Sequence, residues 1–119
     1  MGEAKSEHSI QVKLLRELTE GRRPIRPDVI SFAIPNGGLR NQRVAMQLKA
    51  EGLRPGMPDL GFAMEGGRVA WLEMKNQRGA LSDIQWGIRR RLESLGHQWA
   101  MARSVEEALE HLSTFGVLR

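Results

Sequence analysis

The seven residues VAWLEMK, Val69 to Lys75, constrain this 119-residue chain more than any other stretch. As a strand, their two-residue period sets Val69, Trp71, Glu73 and Lys75 on one face and Ala70, Leu72 and Met74 on the other. Both faces begin apolar, so the strand belongs in the middle of a sheet with helices over both sides. Glu73 and Lys75 then emerge at the end of a buried element. Charges placed there need partners, because desolvating an unpaired carboxylate costs several kcal/mol.

The rest of the chain supplies the covering. From Ser6 to about Glu20 the apolar residues Ile10, Leu14, Leu15 and Leu18 recur at helical steps, and Glu7, three before Ile10, shares their buried face. GRRPIRPD, residues 21 to 28, is a loop, VISFAI, residues 29 to 34, a strand, and Pro35, Asn36, Gly37 and Gly38 a turn. Residues 40 to 51 read as a second helix with a thin stripe through Val44 and Leu48, ended by Gly52. DLGFAM, residues 59 to 64, is a second strand, and the short EGG turn, residues 65 to 67, leads from it antiparallel into VAWLEMK.

Leu81, Ile84, Ile88, Leu92 and Leu95 trace one helical stripe with Gly96 placed to end it. His97 to Ala102 is a short strand, and Ser104 with Glu107 makes a capping box that opens a last helix through Leu109 and Leu112. A helix between the last two strands permits a parallel crossover. The pattern predicts an α/β fold with a mixed sheet. It predicts a single domain over residues 1–119, with residues 1–5 as a flexible lead-in.

There are no cysteines, so disulfides and thiolate metal sites are excluded, and any metal must be held by oxygen or imidazole. The formal charge of +4 and a sequence pI near 10.3 suit a polyanionic partner such as nucleic acid. No apolar run reaches the roughly 20 residues needed to span a bilayer, and the start MGEAKSEHS lacks the apolar core of a signal peptide. The expectation is a soluble, cytoplasmic protein without a membrane partner.

Taken singly, the polar signals around the central strand are common. Glu73 can pair with a basic residue, Lys75 can mark the strand's end in water, and Pro58-Asp59 can be an ordinary turn. The arrangement adds weight, because Asp59 opens the strand just before the one carrying Glu73 and Lys75, one short turn away. Paired neighbours bring the two carboxylates within reach of one cation, a hard-metal site of the kind Mg²⁺ uses together with substrate phosphate. Lys75 can then orient a water or stabilise phosphate charge. Gln85 sits on the apolar stripe beside Ile84 and Ile88, where a lone amide is unusual. Either it completes a capping box with Ser82, or at this first turn it binds substrate or attacking water near the metal.

Arg40, Arg43 and Gln47 share a helical face just after Asn36, and they either contact phosphates or form a solvated surface. Arg89, Arg90 and Arg91 point in three directions, so at most two meet the same strand of DNA. Trp71 reads as core, and Trp86 as core, dimer contact or a stacking surface for an unpaired base. His8, His97 and His111 show no zinc-ligand spacing.

The order and spacing of PNGG (residues 35 to 38), GMPDL (56 to 60), WLEMK (71 to 75) and LSDIQ (81 to 85) resemble the PD-(D/E)xK nuclease superfamily. Within it they resemble the virus-type replication-repair nuclease (VRR-NUC) domain, from the helix carrying Glu7 to the last helix. The resemblance implies a restriction-endonuclease-like domain, a central mixed β-sheet flanked by α-helices. It implies Asp59 and Glu73 as metal-binding acids, the main-chain carbonyl of Met74 as a further ligand, Lys75 as the catalytic lysine and Gln85 as the glutamine of the following helix. Glu7 matches an acid that many members carry on the first helix; it can equally be a helix-start acid favoured by the macrodipole.

The implied chemistry is Mg²⁺-dependent hydrolysis of a DNA phosphodiester, with Mn²⁺ able to substitute, leaving a 5′-phosphate and a 3′-hydroxyl. Asn36, Arg40 and Arg43 are the candidate DNA contacts. Small domains of this type are similar to Holliday-junction resolvases, which implies branched DNA as substrate and a homodimer. The other reading is a DNA-binding or assembly module that keeps the fold without cutting.

Overall fold

A computed structural model describes residues 6–35 and 42–119; residues 1–5, Asn36, Gly37, Gly38 and Arg40 lie outside the described residues. The described elements run α1 (Glu7–Glu20), β1 (Ile30–Ala33), α2 (Gln42–Ala50), β2 (Leu60–Ala63), β3 (Val69–Met74), α3 (Asp83–Ser94), β4 (Gln98–Ala102) and α4 (Val105–Phe115). The strands form one sheet in the order β1-β2-β3-β4, antiparallel at the first two seams and parallel between β3 and β4. The α/β class and the mixed sheet expected from the pattern are both present. Among the described residues, no helix is long and apolar enough to cross a membrane.

β3 holds an inner place in the sheet and is buried along nearly its whole length. Ala70, Leu72 and Met74 point into the larger core, where α1 and α4 contribute Ile10, Leu14, Leu18, Ala108, Leu112 and Phe115. Trp71 points the other way, into a smaller cluster with Trp99 of β4 and Ile88 and Leu92 of α3. The two-residue alternation read from the sequence is therefore the alternation between two cores. Gly61 of β2 lies under this second face, where a Cβ would come within 2.4 Å of the Phe32 ring and 2.8 Å of the Trp71 ring. Those rings meet edge to face at 5.7 Å, a packing that only glycine leaves room for.

Helix ends follow local chemistry. Ser6 caps α1 by accepting the Ser9 N–H at 3.0 Å. Gly52, at φ 111°, ends the turn after α2: its N–H reaches the Lys49 carbonyl at 3.0 Å, and the Leu53 N–H reaches that of Leu48 at 2.8 Å. At α4 the Ser104 side chain accepts the Glu107 N–H at 3.1 Å, but the expected return bond differs. Glu107 Oε1 accepts instead from the Arg103 N–H at 3.0 Å, one residue further back, so only half of the capping box forms.

The stripe expected on α3 is narrower than its spacing suggests. Ile88 and Leu92 are buried, whereas Ile84 is 59% and Leu95 71% exposed. Both buried residues lie over Trp71 and Trp99, and the helix ends reach past that patch.

Candidate active site

The register between β2 and β3 pairs Leu60 with Leu72, so one further step sets Asp59 opposite Glu73 on the same face. Asp59 is fixed at that edge twice. Its carbonyl accepts the Ile34 N–H at 2.8 Å, and its Oδ2 accepts the Met74 N–H at 2.8 Å. A carboxylate thus takes the place of a ladder acceptor at the end of β3, which holds it beside Glu73.

Glu73 is only 3% exposed, the buried charged residue among the described side chains. Two donors converge on its Oε2: Gln85 Nε2 at 3.0 Å and Lys75 Nζ at 3.6 Å. Lys75 is itself largely buried, with 12% of its side chain exposed. Burial pushes the Glu73 carboxyl up from its ordinary 4.5 to about 8, helped by the charge of Asp59 and, less, by that of Glu7; the Lys75 ammonium opposes the rise. Acids gathered at one strand end are the electrostatic condition that a bound cation can relieve.

Gln85 forms the capping box that its spacing allowed, and the same side chain also reaches Glu73. Its Oε1 accepts the Ser82 N–H at 2.9 Å while its own N–H donates to Ser82 Oγ at 3.2 Å, a full capping box. The other end of the same amide, Nε2, donates to Glu73. The helix cap thereby orients the amide toward the acid, so local and tertiary bonds select one rotamer.

Glu7 begins α1 and reaches Glu73 through its field, but no hydrogen bond joins them. Met74 is fully buried in the larger core, with its N–H committed to Asp59. Arg43 is exposed on α2. The expected DNA contacts at Asn36 and Arg40 fall outside the described residues.

Two supporting residues escaped the sequence reading. Arg103, after β4, donates through Nη1 to the carbonyls of Asn76 at 2.7 Å and Gly79 at 2.6 Å. Asn76 Oδ1 accepts the N–H groups of Arg78 and Gly79 at 2.9 and 2.8 Å, closing the loop that follows Lys75. Asn three residues before Gly was the local signal of this turn, whereas the Arg103 contact spans the parallel seam and leaves no local trace. His97 also has a defined place, accepting the Trp71 indole N–H at Nδ1 at 2.9 Å.

Among the described residues, no three His, Asp or Glu side chains converge as a self-sufficient metal cage. The oxygen donors at hand are two adjacent carboxylates at a strand end. That set suits Mg²⁺ or Mn²⁺, which take few protein ligands and fill their remaining positions with water and substrate phosphate.

No protein-family model and no curated protein matches the sequence. The fold does match solved structures. One, a VRR_NUC domain protein, superposes with a TM-score of 0.68 at 15% identity, covering 93% of this chain and 88% of that chain. Another VRR_NUC domain gives a TM-score of 0.57 at 16% identity, covering 92% of this chain and 97% of that chain.

Proposed function

We propose that this chain, which has the fold of VRR_NUC domains, is a divalent-metal-dependent DNA endonuclease with its active centre at Asp59, Glu73, Lys75 and Gln85. One observation carries the reading. A buried carboxylate is raised to about 8 by burial and by neighbouring acids, beside a largely buried lysine and an amide bonded to it, at the end of an inner strand. Burying Glu73 beside a second acid costs the folded state, and such perturbed carboxyls cluster at functional sites.

Asp59 and Glu73, with the Met74 carbonyl, would hold Mg²⁺ or Mn²⁺, and Glu7 would add negative field from α1. The bound cation supplies positive charge at the scissile phosphate and acidifies the attacking water. Lys75 brings its ammonium to the same point, where it neutralises charge gathering on the phosphate oxygens. Gln85 keeps Glu73 in one orientation and offers its amide to the water or phosphate. Asp59 is kept rigid by the Met74 N–H, so the ligand geometry is set before substrate arrives. The expected products carry a 5′-phosphate and a 3′-hydroxyl.

The proposed substrate is branched DNA, including the four-way junction, met in replication, repair or recombination, with Asn36, Arg40 and Arg43 contacting phosphates. A homodimer would present two such sites to the two symmetric cuts of a junction. The test is cleavage of labelled four-way junction, flap, single-stranded and duplex DNA in Mg²⁺, Mn²⁺ and EDTA. Metal-dependent cutting that prefers the branched forms is expected. Binding with no cutting in either metal contradicts the enzyme and supports a non-cleaving DNA-binding module. Light scattering with and without junction DNA reads the stoichiometry, and a strict monomer in both removes paired junction cleavage.

A further inference from the structure

The first turns of α3 carry more than Gln85. One residue on, and about 100° around the helix, Trp86 is 42% exposed although it is the largest side chain on that helix. Its ring is held in place, because the Arg89 guanidinium lies 5.0 Å from its centroid and 4.4 Å from that of Trp99. Glu93 anchors the same guanidinium at 3.4 Å. An exposed indole clamped by a buttressed cation is a preorganised surface and not a loose side chain.

Beside it lies an open cavity of about 360 Å³, lined among the described residues by Asp83, Trp86, Gly87 and Arg90. Gly87 is the informative member. It sits inside a regular helix, where glycine costs roughly 1 kcal/mol against alanine, and a Cβ there would meet nothing within 4 Å. Neither packing nor backbone conformation requires glycine at this position, since its φ is that of the helix. Any side chain would project into the cavity instead. The cavity therefore combines an aromatic wall, a floor without a side chain, a cation at Arg90 and an acceptor at Asp83.

From this arrangement we propose that the Trp86–Gly87–Arg90 cavity is a stacking pocket for one unpaired nucleobase of bound DNA. The base lies against Trp86 over Gly87, Arg90 pairs with its phosphate, and Asp83 accepts from a base N–H group. Charge decides the occupant: a flat aromatic surface with an adjacent cation suits a nucleotide, whose face is π-rich and whose backbone is anionic. At about 100° per residue, these four residues share the exposed face of α3, turned away from Gln85 and its bond to Glu73, so a base seated here is held across the helix from Asp59 and Glu73. The pocket thus favours DNA that carries an unpaired base away from the cut itself, and as a substrate preference it rests on the nuclease reading above.

The test uses the full chain in EDTA, where nothing is cut, and oligonucleotides bearing 2-aminopurine in a single-stranded segment or within a duplex. The readouts are affinity and 2-aminopurine fluorescence. Wild type should bind the unpaired probe with quenching, and Trp86→Ala should weaken that binding about ten-fold, with Trp86→Phe recovering much of it. Duplex affinity should stay unchanged. Gly87→Leu fills the cavity and should abolish quenching, while urea unfolding shows the variant at least as stable as wild type. Equal affinity and equal quenching across wild type, Trp86→Ala and Gly87→Leu overturn the pocket. So does a change confined to oligomeric state, which makes Trp86 a protein contact. Parallel cleavage assays in Mg²⁺ report on the nuclease separately: Trp86-dependent binding without any cutting retains the pocket and removes the enzyme, and cutting of all substrates at equal rates by wild type and Trp86→Ala does the reverse.

Discussion

Replacing Glu73 by Gln should make the metal-free protein more stable, increasingly so as pH rises. In the folded chain the Glu73 carboxyl titrates near 8, against an ordinary 4.5. Between those values the folded state holds a proton that the unfolded state has lost, so stability falls as pH rises through the window. At about 1.4 kcal/mol per pH unit, wild type should lose about 3 kcal/mol between pH 5 and pH 7.5. That is a large part of a typical domain stability of roughly 5–15 kcal/mol. The amide of Glu73→Gln does not titrate, and its carbonyl can still accept from Gln85 Nε2. The variant should therefore gain on wild type by about 3 kcal/mol across the same interval.

The assay is urea unfolding of both proteins in EDTA at several pH values, read as their difference so that other titrating groups cancel. A difference constant with pH would show that Glu73 is ionised at ordinary pH in the fold, and the reasoning from its burial beside Asp59 would be refuted. Repeating the series in Mg²⁺ adds a second check. Wild type should recover most of its loss at pH 7.5, since a bound cation favours the ionised carboxylate and proton release accompanies its binding. Glu73→Gln should recover little.

Lys75→Ala should lower cleavage by a factor on the order of 100 or more with metal-induced stabilisation retained; single-turnover kinetics alongside thermal shifts in Mn²⁺ separate the two. Gly61→Ala should destabilise by about 1–3 kcal/mol in urea unfolding, because the new Cβ would strike the Phe32 and Trp71 rings. Arg103→Ala should cost about 1–3 kcal/mol and raise amide hydrogen exchange across residues 76–79, since it holds the carbonyls of Asn76 and Gly79 at either end; unchanged exchange there would remove its positioning role.

The parts of the fold legible in the sequence are those set by short-range periodicity. β3 announces itself as an inner strand because seven residues cannot be apolar on both faces and remain at an edge. Ser6, Ser82 and Ser104 mark helix starts because capping is a bond between near neighbours. The pairing of Asp59 with Glu73 was readable because a short turn joins their strands, so register follows from turn length. What lay beyond the sequence is what a distant partner decides. Ile84 and Leu95 fit the α3 stripe but overhang the tryptophan patch, and periodicity does not say how far the opposing surface extends. Arg103 resembles any basic residue until β4 is laid parallel to β3 and carries it to the loop after Lys75. Gln85 was readable as a cap from its spacing to Ser82, whereas the bond from its other end to Glu73 depends on how α3 lies against β3.

The most direct test of the account is the Asp59→Asn exchange, which removes one metal-facing charge while its amide oxygen can still accept the Met74 N–H. End-labelled branched DNA is incubated with wild type and variant in Mg²⁺, and the product ends are probed with ligase and with phosphatase. The account predicts ligatable 5′-phosphate and 3′-hydroxyl ends from wild type, and no product from a folded variant that still binds the DNA. Cleavage by Asp59→Asn at the wild-type rate, or wild-type cleavage that persists in EDTA, would contradict it.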